Sequence, residues 1–208
     1  MDVIDPRIEE YAERLSSPHE PLLAELSAET AEVLGSTPML TGPVAGRFLE
    51  LLVWFAQPTR VVEIGTFSGH SALSMAAALP VGGHIDACEI DAERAAFAQR
   101  YFDRSPHGSK ITLHVGPAIE TLDRLEGEFD FVFIDADKPG YVAYYEAIVP
   151  RLAEHGLIVA DNTLAAGQVV AGDRPAIADF NEHVAADPRT VQVLLSVRDG
   201  MTLIRRAT

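Results

Sequence analysis

The chain has little basic charge, one cysteine and no long apolar run, and each shortage argues against a class of protein. Its 208 residues include 16 Lys and Arg against 31 Asp and Glu, for a net charge of −15. Binding a phosphate backbone requires a basic face, so this balance disfavours a nucleic-acid partner. The single cysteine, Cys88, cannot form an internal disulfide and fits a reducing compartment. No apolar run reaches the roughly 18 residues of a membrane span.

The remaining composition predicts one globular domain in the cytoplasm. The chain is 48% hydrophobic with a mean hydropathy of +0.10, and its acidic start lacks the basic and apolar regions of a signal peptide. Apolar residues recur at helical spacing in three N-terminal segments, which are 3–16, 20–34 and 43–55. We predict that residues 1–58 form a helical cap and that residues 59–208 form the core of the same domain.

Strand and helix patterns alternate after Pro58. Predicted strands cover 60–65, 84–90, 110–115, 129–135 and 156–161, and predicted helices cover 69–79, 92–103, 117–124, 140–152 and 174–186. This alternation predicts a parallel sheet with helices on both faces. Asp199-Gly200 separates two final apolar runs, which indicates a hairpin. The predicted fold is therefore α/β and Rossmann-like, with a seven-stranded, mostly parallel sheet that has one antiparallel C-terminal strand.

Two of the predicted strands end abruptly in polar residues. The runs FVFIDADK and GLIVADN place Asp135, Asp137, Asp161 and Asn162 after buried, β-prone residues. If these strands are parallel neighbours, the four side chains meet at one edge of the sheet. Oxygen ligands without cysteine or histidine suit a hard divalent cation such as Mg²⁺. Lys138 follows Asp135 by three residues and is close enough to act on a molecule that the cation holds.

A glycine-containing turn follows the first strand. Its G-x-x-x-G spacing differs from the G-x-G-x-x-G of dinucleotide sites, and Glu63 lies two residues before Gly65. A carboxylate there repels a pyrophosphate but attracts a cationic ligand such as S-adenosylmethionine, which carries a sulfonium and an ammonium group. Glu89, at the end of the second strand, is the expected partner of the ribose hydroxyls, and Asp91 is the competing candidate. Ser71 is either an ordinary residue of the helix N-terminus or a contact for the ligand carboxylate.

These motifs together resemble a known family. VVEIGTFSGHSAL, CEID, VGPA, FDFVFIDADKPGYVAYYE and GLIVADNTL, in this order, are similar to the cation-dependent O-methyltransferases, the group of catechol and caffeoyl-coenzyme A O-methyltransferases and their small bacterial relatives. The resemblance runs from about Met39 to the C-terminal hairpin. The paired DADK and DN motifs are its specific part, because the glycine turn alone is common.

The resemblance implies roles for individual residues. It implies a metal ion, Mg²⁺ or else Mn²⁺ or Ca²⁺, held by Asp135, Asp161 and Asn162, and it implies Lys138 as the general base. The contacts that it implies for S-adenosylmethionine are Met39, Thr41, Glu63, Gly65, Ser71, Glu89, Ala118 and Asp135. It also implies a homodimer. Family members commonly have an aromatic residue soon after the DN pair, whereas this chain has Thr163-Leu164-Ala165-Ala166.

The expected reaction is methylation of one hydroxyl on a catechol-like small molecule. A phenol ordinarily has a pKa of about 10, and a cation that binds two adjacent oxygens lowers this pKa. Three alternatives stay open at this point: methylation of a hydroxyuridine in tRNA, cofactor binding without turnover, and NAD-dependent oxidoreduction, which the glycine spacing disfavours. Asp137 is expected not to bind the metal. Tyr141 and Tyr145 are expected to pack in the core, with the alternative that Tyr141 borders the active site.

Overall fold

The computed structural model describes residues 4–35, 40–171 and 175–207. Three helices come first, and they are α1 Pro6–Leu15, α2 Pro21–Glu29 and α3 Gly42–Ala56. Asp5 caps α1 because its side chain accepts a hydrogen bond from the backbone N–H of Arg7. The predicted helix 20–34 is divided, because the α-helix ends at Glu29 and a π-helical turn continues to Leu34.

In the described part of the chain after α3, seven strands form one sheet, and five α-helices accompany them. The strands are β1 Arg60–Ile64, β2 His84–Glu89, β3 Ile111–Val115, β4 Phe129–Ile134, β5 Leu152–Asp161, β6 Thr190–Leu195 and β7 Met201–Arg206. The helices are α4 His70–Ala78, α5 Ala92–Arg104, α6 Ala118–Arg124, α7 Tyr141–Ile148 and α8 Ala176–Ala186. The strand order is β3-β2-β1-β4-β5-β7-β6, and β7 is antiparallel to both of its neighbours. The predicted fold class is confirmed.

The boundary between α7 and β5 differs from the prediction. The expected helix 140–152 stops at Ile148 and becomes a 3₁₀ turn at Val149–Arg151, because Pro150 has no N–H to continue the helical ladder. The strand expected at 156–161 begins at Leu152, which pairs with Phe129 before the register shifts. The sequence pattern misses this early pairing because it is interrupted by exposed polar residues.

Both faces of the sheet are covered by helices. On one face, side chains of α6, α7 and α8 pack on Val62, Val132 and Ile158. On the other, α3 and α4 pack on β1, β4 and β5, with Leu49 of α3 fully buried. The division into a cap (1–58) and a core (59–208) stays a prediction. Within the described ranges, no helix combines the length and apolar composition needed to cross a bilayer.

The topology brings the polar strand ends together. Strand order reverses between β1 and β4, and doubly wound sheets bind ligands at such a switch point. Ile64 pairs with Ile134, and Ile134 pairs with Ala160. The residues that follow these pairs therefore lie side by side at the carboxyl edge of the sheet.

Candidate functional site

A cavity of about 770 Å³ opens at the carboxyl edge of the sheet. One side of it is bordered by the turn after β1 and the end of β2, and the other by the residues after β4 and β5. Of the predicted site residues, those that line it are Thr41, Gly65, Glu89, Ala118, Asp135, Lys138, Asp161 and Asn162. Residues separated by more than 100 positions in the sequence thus share one cavity.

Gly65 allows β1 and β4 to approach each other closely at the cavity floor. Its φ is +93°, and a Cβ atom built there would lie 2.0 Å from the backbone oxygen of Asp135. The backbone N–H of Asp135 donates to the oxygen of Ile64 at 2.8 Å. Any larger residue would separate the strand ends, so glycine is required at this position.

Glu63 lies beneath this turn and is completely buried. Neither carboxylate oxygen has a hydrogen-bond partner among the described residues. Burial raises the pKa of Glu63 to about 7, although the nearby hydroxyls of Ser71 and Thr66 act in the opposite direction. Ser71, near the start of α4, lines a small recess beside the cavity together with Thr41. Its two predicted roles, an ordinary residue of the helix N-terminus and a ligand contact, both stay open. Burial of a carboxylate without a partner is energetically costly, and a cationic ligand that pairs with it offsets this cost.

Glu89 and Asp91 have different surroundings. Glu89 is buried and lines the cavity, and its two oxygens accept hydrogen bonds from the backbone N–H groups of Phe67 (2.7 Å) and Asp91 (2.9 Å). Asp91 caps α5, because its side chain accepts from the N–H groups of Glu93 and Arg94. The helix cap accounts for Asp91, which leaves Glu89 as the carboxylate facing the cavity.

Four predicted site residues at the ends of β4 and β5 form one cluster, and they are Asp135, Lys138, Asp161 and Asn162. The Lys138 Nζ lies 3.1 Å from the Asn162 Oδ1 and 3.4 Å from both the Asp135 Oδ1 and the backbone oxygen of Asp161. Burial raises the pKa of Asp135 and raises that of Asp161 to about 7, and in Asp161 the neighbouring charge of Asp135 adds to the effect. Asn162 has a φ of +55°, a left-handed conformation that asparagine tolerates.

Tyr141 and Asp137 have contacts that the sequence patterns did not indicate. The Tyr141 hydroxyl contacts the Lys138 Nζ and donates to the backbone oxygen of Asp161 at 3.0 Å. The ring of Tyr141 is buried, as the packing prediction expects, and its hydroxyl reaches the cluster, as the alternative prediction expects. Asp137 lines the cavity beside Tyr144, whose hydroxyl donates to it at 2.6 Å. Helical periodicity indicates which face of a helix is buried, but it does not indicate which atoms a tyrosine hydroxyl on that face contacts.

Thr41 and Ala118 line the cavity at the starts of α3 and α6. Met39 lies outside the described residues, so its predicted role is not addressed by the structure. Arg198, which the sequence patterns did not single out, also lines the cavity.

The fold agrees with that of solved methyltransferases. SAH-bound methyltransferase PaMTH1 of Podospora anserina has a TM-score of 0.91 at 29% identity, covering 98% of this chain and 95% of that one. The O-methyltransferase of Bacillus cereus in complex with SAH has a TM-score of 0.88 at 26% identity, covering 97% of each chain. The chain thus has the Rossmann-like fold of methyltransferases.

The family follows from the sequence comparisons. The O-methyltransferase family model matches residues 13–207. Caffeoyl-CoA O-methyltransferase 5 of Nicotiana tabacum is 35% identical over 211 residues, which cover 92% of this chain and 87% of that protein. Caffeoyl-CoA O-methyltransferase 1 of Eucalyptus globulus is 36% identical over 208 residues, covering 91% of this chain and 83% of that protein. The chain belongs to the O-methyltransferase family, and the resemblance seen in its motifs is confirmed.

Proposed function

We propose that the protein transfers a methyl group from S-adenosylmethionine to one hydroxyl of a vicinal dihydroxy aromatic small molecule, with the help of a divalent cation. The observation that carries this proposal is the cluster of one buried carboxylate (Asp161), one half-buried carboxylate (Asp135), one amide oxygen and one amine in a single cavity. The family membership supplies the reaction class, and the cluster supplies the reason for a metal ion and a phenolic acceptor.

The cofactor side of the proposal is supported by Glu63 and Gly65. Glu63 is buried with both oxygens unpartnered, and a cofactor ammonium group is the kind of partner that such a carboxylate lacks. Gly65 lines the cavity, so its backbone lies within reach of a ligand there. Two solved relatives are described as SAH-bound or in complex with SAH. We assign Thr41, Ser71, Glu89 and Ala118 to the same ligand because they border this half of the cavity or its recess.

The metal side of the proposal is supported by the donor set. Asp135, Asp161 and Asn162 offer oxygen atoms alone, which suits Mg²⁺ better than zinc or copper. The Lys138 amine contacts the side chains of both Asp135 and Asn162. When bound, a divalent cation lowers the pKa of a coordinated phenolic hydroxyl.

The remaining steps belong to the residues of the chain. Lys138 takes the proton of the reacting hydroxyl, and Tyr141 positions the Lys138 amine through their contact. Asp135 and Asp161 attract the cation, and Asn162 contributes a neutral oxygen. Enclosure of donor and acceptor in one cavity converts methyl transfer into a positioned, in-line displacement. The small side chain of Ala165, which lines the cavity, leaves room for the acceptor ring.

The test combines turnover with metal binding. We expect purified protein to methylate catechol with S-adenosylmethionine and Mg²⁺, and we expect a chelator to abolish the product. Asp161→Asn should weaken Mn²⁺ binding in a direct titration, whereas Asp137→Asn, an acid on the same edge that we do not assign to the metal, should retain it. Full activity in the presence of chelator would refute the metal-dependent mechanism.

The same assay separates the alternative functions. Binding of SAH without methylation of any catechol would favour a cofactor-binding protein, and methylation of tRNA alone would favour the hydroxyuridine reaction. The net charge of −15 argues against a tRNA substrate. Tight binding of NAD in place of SAH would contradict the whole assignment.

A further inference from the structure

Arg198 is a cation at the cavity wall to which the proposed reaction gives no role. It lies in the turn between β6 and β7 and is half-buried. It lines the same cavity as Lys138 and Asn162. Among the residues that the structure describes, its guanidinium forms no ion pair.

Backbone oxygens fix the orientation of the guanidinium. The Nη1 donates to the backbone oxygen of Thr41, and both Nη1 and Nη2 lie 3.4 Å from the backbone oxygen of Leu40. Gly42 packs closely against the group, since a Cβ there would lie 3.5 Å from Nη1. These contacts pre-organise the arginine from one side without neutralising its charge.

The contacts leave one edge of the guanidinium available. Arginine carries five N–H donors. The contacts with Leu40 and Thr41 involve Nη1 and one N–H of Nη2. No residue that the structure describes accepts a hydrogen bond from Nε or from the second N–H of Nη2. These two donors form a planar fork that matches the two oxygens of a carboxylate.

The turn that carries Arg198 is bound to the segment that follows Asn162. The backbone oxygen of Asp199 accepts from the N–H of Leu164 at 2.9 Å, and the oxygen of Gly200 accepts from the N–H of Thr163 at 3.1 Å. The Asp199 side chain also accepts from the N–H of Ala166. Arg198 is therefore held beside the segment to which we assign the acceptor ring.

We infer that Arg198 binds a carboxylate of the methyl acceptor, so that the substrate class is a vicinal dihydroxy aromatic acid. This inference rests on the proposed function. Two ligands of that reaction carry a carboxylate, since the methionine end of the cofactor has one as well. The hydrogen bonds between the 198–200 turn and residues 163–166 favour the acceptor, and the experiment distinguishes the two sources.

The experiment compares an acid with its uncharged analogue. Wild type, Arg198→Gln and Arg198→Lys are assayed with a vicinal dihydroxybenzoate and the matching dihydroxybenzamide. Arg198→Gln should lower kcat/KM for the acid by about 10- to 100-fold, the effect of a lost charge-assisted pair, and change that for the amide by less than about twofold. Arg198→Lys should recover part of the loss because it keeps the charge but not the fork.

Matched measurements separate this inference from loss of structure. Arg205→Gln, an exposed arginine on the same hairpin, should leave both substrates unaffected. The dissociation constant of SAH should be equal in wild type and Arg198→Gln. Calorimetric binding of dihydroxybenzoate to the SAH complex should weaken in Arg198→Gln, and this arm needs no turnover.

Three outcomes would overturn the inference. Equal losses for acid and amide would make Arg198 a structural link between its turn and residues 40–42. Weaker SAH binding by Arg198→Gln, with an unchanged preference for the acid over the amide, would show that Arg198 binds the carboxylate of the cofactor instead. Equal binding of acid and amide to the wild-type SAH complex would remove the carboxylate preference. If wild type binds the acid through Arg198 but methylates neither compound, the proposed function fails while the binding inference stands.

Discussion

Glu63 is the residue in which burial and charge conflict most plainly. It has no exposed surface and no hydrogen-bond partner for either oxygen among the described residues. Its pKa is raised to about 7, above the ordinary value of 4.5, so the folded protein retains a proton that the unfolded chain has released. Stability of the ligand-free protein therefore falls as the pH rises through this window. A cationic ligand has the opposite effect, because it stabilises the ionised form.

This conflict predicts a pH dependence of cofactor binding. SAH affinity should rise as the pH rises through about 7, by up to tenfold per unit below the pKa, because only the ionised Glu63 attracts the ammonium group. Glu63→Gln should bind more weakly and without this rise. Calorimetry of SAH binding on both sides of neutral pH gives the measurement. A flat profile in wild type, or an identical slope in the variant, would remove Glu63 from the cofactor site.

Lys138 permits a matched comparison because the chain has only two lysines. Lys138→Met should lower kcat by about 10²- to 10⁴-fold, the usual contribution of a general base, and leave SAH affinity nearly unchanged. Lys110→Met removes the other lysine, which donates to the backbone oxygens of Ala76 and Leu79. That control should cost stability but preserve kcat per folded molecule. A normal kcat in Lys138→Met would assign the proton transfer to another group.

At the scale of elements, the end of β2 and the start of α5 carry two nearby carboxylates with different surroundings. Glu89 is buried and orders the turn after β1 through Phe67, whereas Asp91 satisfies the first N–H groups of α5. Strand β2 ends at Glu89, whereas Asp91 lies beyond the strand as the N-cap of α5, so the alternation of side chains along a strand does not set its direction. Sequence spacing alone leaves both as candidates for the cofactor.

Substitutions at these two positions should have separate effects. Asp91→Ala should lower the free energy of unfolding by about 1 kcal/mol, the value of a helix cap, without changing SAH affinity. Glu89→Gln should weaken SAH binding by about tenfold or more, because a charge-assisted bond to the ligand is lost. Thermal unfolding and calorimetry measure the two effects. Comparable losses of affinity in both variants would show that the helix cap also serves the cofactor.

At the scale of the whole molecule, α3 connects the N-terminal segment to the sheet. Leu49 is fully buried among residues of β1, β4 and α4, whereas Leu51 on the same helix is 55% exposed. Buried side chains of this kind transmit unfolding of one element to its neighbours. The packing supports our prediction that the cap does not fold separately from the core, and the predicted homodimer and cytoplasmic location stay predictions.

The single tryptophan, Trp54, reports on α3 and allows this to be tested. Leu49→Ala should lower the free energy of unfolding by about 2 to 5 kcal/mol, and the transitions followed by Trp54 fluorescence and by far-UV circular dichroism should coincide. Leu51→Ala deletes the same atoms from an exposed position and should cost little. Two separate transitions in wild type would show that residues 1–58 unfold independently.

Much of the core and of the metal-type cluster could be predicted from local patterns. A strand buried on both faces is an apolar run, so the sequence indicates the ends of β4 and β5 where each run meets Asp135 or Asp161. Glu63 is the one polar residue near the end of β1. The predicted helix 43–55 differs from α3 by one residue at each end, whereas the predicted helix 3–16 begins three residues before α1. The early start of β5 was not predicted, because its first pairing, between Leu152 and Phe129, depends on a different strand.

The sequence by itself determined which side chains end the strands, because burial and strand periodicity are local properties of the chain. Only the tertiary structure decided which of them share a cavity and what else reaches it. Arg198 contacts Thr41 across 157 positions, and the Tyr141 hydroxyl contacts an oxygen 20 positions away. Such contacts depend on strand order and on the length of a side chain, and neither leaves a periodic signal in the sequence.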